Sequence, residues 1–307
     1  MPAYILRKLL LTIPNILGIV IITFILFKVV APDPARLYAG KQKSEAQLQS
    51  IRHEMQIDKP WWVQLWNIIR FKFAPSMRYK ESFWSLFARK APISLAIQLP
   101  VFIIELGIQL VLAVYVAARR GRFQDHVITF LAVFSMSVPA LSIYLGAQEL
   151  FAGHWKIFPV AGWDQHFFIA IHFAALPILV SVLGGWGSGT RFYRTIVLEE
   201  ISSDYVRTAK AKGVGEAEIL LTQVMRNIMI PVVTNTVAVL PLLFTGALLL
   251  ERLFQIPGFG GLLVDAIQQQ DQLLLMAIVY VTAIIYCLML VVTDICYALV
   301  DPRVVLQ

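Results

Sequence analysis

The chain has 307 residues, 58% of them hydrophobic and 15% charged, with a mean hydropathy of +0.72. Soluble domains carry roughly 45–50% apolar and about 25% charged residues, so disorder and an ordinary soluble enzyme are excluded. The formal net charge of +7 invites a nucleic-acid reading, but the placement of the cations argues for a membrane topology instead. Cys287 and Cys296 stand nine residues apart on one expected helix, face opposite sides and make no disulfide framework.

A membrane-crossing helix needs about 20 mostly apolar residues. Six runs satisfy this: 9–27, 91–118, 127–148, 167–190, 227–250 and 272–293, and the only charge inside them is Glu105. Arg7 and Lys8 precede the first run as in a signal peptide. That run exceeds the 7–15 residues of a signal core and lacks a small-x-small cleavage site, so an uncleaved helix is expected.

Lys and Arg set the orientation. With the N-terminus inside, twelve fall in inner segments: Arg7, Lys8, Arg119, Arg120, Arg122, Arg191, Arg194, Arg207, Lys210, Lys212, Arg226 and Arg303. The two short outer loops hold only Lys156 and Arg252. Both termini are therefore expected in the cytoplasm, and the basic excess is a topology signal.

Three divisions follow: 1–30 with the first span, an external segment 31–90, and a five-span core 91–307. In the external segment Ala31-Pro32-Asp33-Pro34 stops the first span. Ser44 and Gln47 form a capping-box pattern for a helix reaching about Met55. Trp61, Trp62 and Trp66, with Ile68, Ile69, Phe71 and Phe73, fit a helix lying at the membrane interface.

Residues 191–226 exceed what joining two helices requires. They read as two short helices broken at Gly213-Val214-Gly215, with Ile201, Tyr205, Ala209 and Lys212 on one face of the first. Ile219, Leu220 and Val224 share a face of the second.

Motifs for chemistry are missing. The sequence has no GxxxxGK[ST], no HExxH and no GxSxG, and its histidines are scattered. No nucleophile–base pair for an intramembrane protease stands out within the spans. The run from Gly184 to Gly189 ends a span and suits either close helix packing or a local unwinding that lines a path. Glu105 is either a hydrogen-bonded structural carboxyl or part of a polar pathway. Prolines 100, 139, 177, 231 and 241 are expected to bend their helices. The turn Pro257-Gly258-Phe259-Gly260-Gly261 can fold back between the last two spans as an outer gate or docking surface.

The segment from Asp204 to Gly213, followed by Arg226-Asn227 and Pro231, resembles the cytoplasmic EAA loop of ABC import permeases, in the dipeptide and oligopeptide branch. Further matches stand in order. They are Ile57-Asp58-Lys59-Pro60-Trp61, Ala118-Arg119-Arg120-Gly121 through Asp125, Ser137-Val138-Pro139 and Phe158-Pro159-Val160-Ala161-Gly162. Glu251 through Phe254 with Pro257-Gly258-Phe259-Gly260 follows, and Asp294, Tyr297 and Asp301-Pro302-Arg303 close the series. The long segment after the first span resembles the B-type permease of such systems. Departures are Arg207 where the general loop has Glu, Gln223 where the branch often has His, and Met55-Gln56-Ile57-Asp58 for Leu-Gly-Leu-Asp. Lys72-Phe73-Ala74-Pro75 stands near where Gly-Asp-Leu-Gly is usual.

The resemblance implies an all-α, six-span, type I importer-like permease of the inner membrane that transports peptides by alternating access. It implies a second homologous permease, two cytoplasmic ATPase subunits carrying ATP and Mg, and an external substrate-binding protein. This chain would hold no cofactor, catalyse nothing and bind lipid but no nucleic acid. Tyr205, Arg207, Thr208, Ala209, Lys210, Ala211, Lys212 and Gly213 would couple to the ATPase. Ala209 and Gly213, small and one turn apart, would seat in its groove, flanked by Arg207, Lys210 and Lys212. Glu251, Phe254, Pro257, Gly258 and Gly260 would form the outer gate, and Glu105 would line the path. The competing readings are an ion- or proton-coupled secondary transporter using Glu105, and an importer of nickel complexes, glutathione or sugars.

Overall fold

The computed structural model describes residues 2–30, 33–39, 44–164, 166–243 and 246–300. Ala31-Pro32 and Asp301-Pro302-Arg303 lie outside the described residues. Every regular element among the described residues is helical.

Helix α1 (Pro2–Ile25) continues through a π-helical stretch, Leu26–Val30. Short helices α2 (Pro34–Ala39), α3 (Glu45–Glu54) and α4 (Trp61–Ile69) follow. At the start of α3 the Ser44 N–H donates to Gln47 Oε1 at 3.2 Å, as the capping-box pattern predicts. Arg52 closes α3 onto Asp33 at 2.6 Å. Helix α4 leaves Trp61, Trp62 and Trp66 more than half exposed and buries Ile68 against Val20, Phe24 and Tyr280. That division suits a helix lying at an interface, with its indoles outward.

Helix α5 (Phe83–Ala118) spans 36 residues, capped by Ser82, whose Oγ accepts from the Ser85 N–H at 3.2 Å. The apolar run expected from residue 91 is therefore the continuation of a longer helix. Helices α6 (Phe123–Ser137) and α7 (Ala140–Ala147) come next, the latter extended by a π-helical stretch, Gln148–His154. The bend between the two parts is 97°. Pro139 causes it: the ring disfavours a helical preceding residue, and Val138 stands at φ −87°, ψ 126°. The single span expected over 127–148 is thus a bent pair. Pro92, Pro100 and Pro177 lie inside continuous helices and break none of them.

Helix α8 (Phe167–Ile201) has 35 residues. Helices α9 (Asp204–Ala211) and α10 (Glu216–Glu218) form the expected broken hairpin, and a π-helical stretch, Ile219–Val224, leads into α11 (Met225–Leu243). The last described elements are α12 (Leu248–Leu253), α13 (Phe259–Gln268) and α14 (Gln272–Val300).

Among the described residues four helices are long and apolar enough to cross a membrane, and five if the bent pair is one span. They run over Leu10–Lys28, Phe83–Ala118, Phe168–Ile201 and Gln272–Cys296. Six were expected. The run 227–250 is shared between α11 and α12 with non-helical Gly246 and Ala247 before α12, and α11 falls outside this set.

Helix α5 organises the packing. Its first turns, with Phe83, Leu86 and Ala91, meet Phe259 and Leu262 of α13 and Leu274 and Ile278 of α14. Its middle, with Ile97 and Val101, meets Leu176 and Val180 of α8 and Leu250 of α12. Its last turn, with Ala117, reaches Val197, Val206 and Ile219. Helix α1 is held to α14 by Lys8 on Asp294 at 2.8 Å and by the Tyr280 hydroxyl, which donates to the Val20 carbonyl at 3.1 Å.

The glycines of α8 permit its close neighbours. A Cβ on Gly187 would stand 2.6 Å from the Ala132 carbonyl oxygen of α6, and Cβ atoms on Gly185 and Gly189 would collide with Glu105 and Gln109 of α5. Residues 185 and 189 share one face, while 187 points away from it, so α8 is clasped between α5 and α6.

An ion pair fixes the same clasp. Asp125, buried at the start of α6, takes two hydrogen bonds from Arg194 of α8, at 3.0 and 2.9 Å, and one from the Gly121 N–H at 2.9 Å. This explains the spacing of Gly121 and Asp125. Asp125→Ala leaves the Arg194 fork without its acceptor in a half-buried site and is expected to cost about 3 kcal/mol. A fall in the thermal unfolding midpoint of the detergent-solubilised protein checks this; an unchanged midpoint contradicts it.

Candidate functional site

Three groups of residues singled out in the sequence occupy three separate places. The first is the hairpin after α8. Ser202 and Ser203 donate through their hydroxyls to the carbonyls of Glu199 and Glu200, at 2.7 and 2.6 Å, and turn the chain. Helix α9 then buries Val206 and Ala209 against Ala117, Val197, Ile219, Val224 and Ile228. Gly213, at φ +82°, ends the helix in the left-handed region where glycine costs least. The Val214 N–H donates back to the Ala209 carbonyl at 3.2 Å. Asn227 of α11 donates to Glu200 at 2.8 Å and ties the far end of the hairpin to α8.

The hairpin's two faces are unlike. Arg207, Thr208, Lys210, Ala211, Lys212 and Gly213 are exposed. Tyr205 is half-buried, and burial, with Glu200 beside it, pushes its hydroxyl pKa up. Ala209 is 6% exposed, packed on its own chain, which corrects the expected seat of Ala209 in a partner's groove. The reason is amphipathic spacing: Tyr205, Val206 and Ala209 form the one apolar stripe of α9, and this chain already offers it an apolar surface. Ile201, expected on α9, is the last residue of α8.

The second place is the loop after α12. Glu251 is 1% exposed, yet its carboxylate is fully engaged. The Ser94 hydroxyl donates to Oε1 at 2.6 Å and the Gly261 N–H to Oε2 at 2.7 Å. Ser94 Oγ in turn accepts from the Phe259 N–H at 2.7 Å, and the Glu251 carbonyl accepts from Ile256 at 2.8 Å. A buried carboxylate satisfied in this way fastens α12, the turn and α13 onto α5. Gly258 and Gly260 pack against the same assembly: a Cβ on Gly258 would lie 2.6 Å from Ser94 Oγ, and one on Gly260 3.1 Å from Leu248 Cα. Phe254 is buried, and its carbonyl accepts from the Gly162 N–H at 2.8 Å. Pro257 is exposed at the tip.

Beside this loop, Arg252 pairs with Asp265 at 2.9 Å, and the Tyr79 hydroxyl donates to the other Asp265 oxygen at 3.0 Å. Burial, with Asp265 beside it, pushes the Tyr79 pKa up to about 12, so the phenol stays protonated and remains a donor. Asp271 is likewise buried, capping α14 through the Leu274 N–H at 3.1 Å and accepting from Ser76. These contacts dock the segment before α5 onto α13 and α14.

The third place is a cavity of about 400 Å³ between α5, α8 and α11. Glu105, Gln109, Ser188, Tyr193, Asn235 and Thr236 line it. Gln109 donates to the Gly185 carbonyl at 3.3 Å, and Asn235 donates to the Tyr193 hydroxyl at 2.9 Å. The helix stays regular through Gly184–Gly189, so the glycines serve close packing and no unwinding occurs there.

Helix α5 measures the distance between the three. Ser94 holds the Glu251 loop, Glu105 and Gln109 face the cavity, and Ala117 supports the hairpin. At about 1.5 Å per residue, Ser94 and Ala117 are roughly 35 Å apart, slightly more than a bilayer's hydrocarbon core. Sequence reasoning missed Ser94, Gln109, Asn235, Asp265 and Asp271. Ser94, Gln109 and Asp265 are single polar residues between apolar neighbours, Asn235 and Asp271 stand in short polar runs, and the role of each appears only with its long-range partner.

Known proteins match over the whole length. Residues 109–306 match the family model described as binding-protein-dependent transport system inner membrane component. Residues 1–93 match the N-terminal model of such membrane components. The dipeptide transport system permease protein DppB of Bacillus subtilis is 30% identical, over 100% of this chain and 99% of its own. The oligopeptide transport system permease protein AppB of Bacillus subtilis and the dipeptide transport system permease protein DppB of Lactococcus lactis are each 30% identical, over 99% of both chains. The secondary-transporter and protease readings are thereby set aside, and the chain belongs to the family of binding-protein-dependent transport system inner membrane components.

Proposed function

We propose that the chain is the B-type permease of an ATP-driven peptide importer. The observation that carries this reading is the placement of a basic, exposed hairpin and a fastened turn at opposite ends of α5, in a chain whose full-length relatives are named peptide permeases. The architecture is six spans with α11 as the fifth, both termini cytoplasmic, and 31–90 outside. A second permease completes the path. Two ATPase subunits bearing ATP and Mg dock on the hairpin, and an external binding protein delivers peptide to the turn at Pro257.

The mechanism is alternating access. Closure of the ATPases moves the hairpin as a body, because Val206 and Ala209 lock it to α5, α8 and α11. Helix α5 carries that motion to the Glu251 loop, since Ser94 and Glu251 join them. Glu105 lies between, on the path. Nickel complexes, glutathione and sugars remain the other cargo classes, separated by mass spectrometry of the ligand held by the partner binding protein.

Sidedness has a direct test. In a cysteine-free background, cysteines at 45 and 164 are expected to label from outside intact cells, and those at 121 and 212 are not. Labelling of 212 from outside refutes the topology.

Coupling predicts a split between the faces of α9. Lys210→Glu with Lys212→Glu, or Gly213→Val, is expected to leave insertion and pairing with the sister permease intact. ATPase recovery on co-purification, or uptake per ATP hydrolysed, should fall about tenfold, the scale of one charge-assisted contact. Ala209→Glu differs: it places a charge in the hairpin's own core and should lower the yield of folded permease. Full ATPase recovery and full uptake in both exposed-face variants reject the assignment.

The Glu251 loop gives a further test. Glu251→Ala removes the acceptor for Ser94 and the Gly261 N–H and is expected to cost about 2–3 kcal/mol. Gly258→Val displaces Ser94 and Glu251, and should abolish uptake while the ATPases still co-purify. Uptake by Gly258→Val at the wild-type rate removes the gate or docking role.

A further inference from the structure

A carboxylate facing a cavity in the middle of a membrane helix is costly unless something pairs with it. Glu105 is that case. Among the described residues it makes no hydrogen bond or ion pair, whereas Asp125, Glu251 and Asp271 are each engaged by several donors. Its side chain lies against Gly185 of α8, and Gln109, one turn further along α5, lies against Gly189. Both glycines are needed for those side chains to fit between the helices. The glycine spacing on α8 therefore does two things: it draws the helices together and it leaves room for two polar groups in the gap.

The rest of the cavity wall continues this polarity. Ser188, Asn235 and Thr236 face it, and the Thr236 hydroxyl is buried with no partner. The cavity therefore has one carboxyl group, several neutral dipoles and no cation among its lining residues. Its volume of about 400 Å³ admits a short peptide but not a folded chain.

We propose that the Glu105 cavity is the intramembrane station for the primary ammonium group of the cargo. The amides and hydroxyls of Gln109, Ser188, Asn235 and Thr236 take the peptide's own amides. This rests on the peptide reading above and names how that cargo is held on the path. A peptide's ammonium crossing a low-dielectric span needs a counter-charge, and Glu105 is the acidic side chain located in mid-span that can supply one. Exposed loop charges cannot serve, because Glu105 lies roughly 15–20 Å along α5 from both Ser94 and Ala117.

The test uses the complete importer, with its sister permease, ATPases and binding protein, in proteoliposomes supplied with radiolabelled alanyl-alanine. Glu105→Gln is expected to assemble and hydrolyse ATP, while peptide accumulated per ATP falls roughly tenfold or more, the scale of one lost charge-assisted contact. Glu105→Asp, which keeps the charge, should recover part of that loss. A second measurement needs no variant: dicyclohexylcarbodiimide should modify Glu105 in the wild-type importer, located by mass spectrometry. Alanyl-alanine with binding protein and ATP should protect it several-fold. Uptake by Glu105→Gln within twofold of wild type, or no protection of Glu105 by peptide, overturns the assignment while leaving the peptide reading intact. A wild-type importer that accumulates no alanyl-alanine or longer peptide overturns that reading and this inference with it.

Discussion

The contact between α5 and α8 is the constraint on which the molecule depends. Two helices of 36 and 35 residues lie side by side, and no hydrophobic force separates helix from lipid within a bilayer. Their attraction comes from close van der Waals packing and from polar contacts across the seam. Glycines at 185 and 189 let Glu105 and Gln109 lie directly on the facing backbone, and Gly187 lets α6 approach the other side. The Asp125–Arg194 fork then closes the same three-helix group at one end.

The acidic side chains of the helix packing follow one rule, from which Glu105 departs. Asp125 and Asp271 begin helices and accept backbone N–H groups as well as side-chain donors. Glu251 gathers Ser94 and Gly261 around a single carboxylate. Each buys local geometry: a helix start, a helix start, a folded-back turn. Glu105 has no such duty. It packs on Gly185 but makes no hydrogen bond or ion pair among the described residues, and a costly group of that kind within a membrane helix is a functional candidate.

The hairpin and the turn share a mechanical property. Both are fastened to α5 by side chains buried in the same chain, Val206 and Ala209 at one end, Glu251 and Phe254 toward the other. A packed interior transmits displacement and does not absorb it, because its density leaves few voids to collapse. In the proposed coupling, movement imposed on the exposed basic face would be delivered along a helix that passes the polar cavity. The 97° bend after α6 and the π-helical stretches Gln148–His154 and Ile219–Val224 are the irregular points around this strut.

The sequence determined what depends on local pattern. Apolar length announced the long helices, Ser44 and Gln47 announced α3, and Gly213-Val214-Gly215 announced the broken hairpin, because each signal is read within a few residues. Pro139 announced a bend but not its 97°, and Pro100 and Pro177 announced bends that continuous helices absorb. Tertiary structure decided what depends on partners distant in the chain. Ala209 faces inward because Ala117 and Ile219 offer it an apolar surface. Ser94 matters because residues 251–261 return to it, a pairing across 157 positions that no local window contains. The glycines of α8 could be read as packing residues from spacing alone; that two of them seat Glu105 and Gln109 was decided only by the register of α5 against α8.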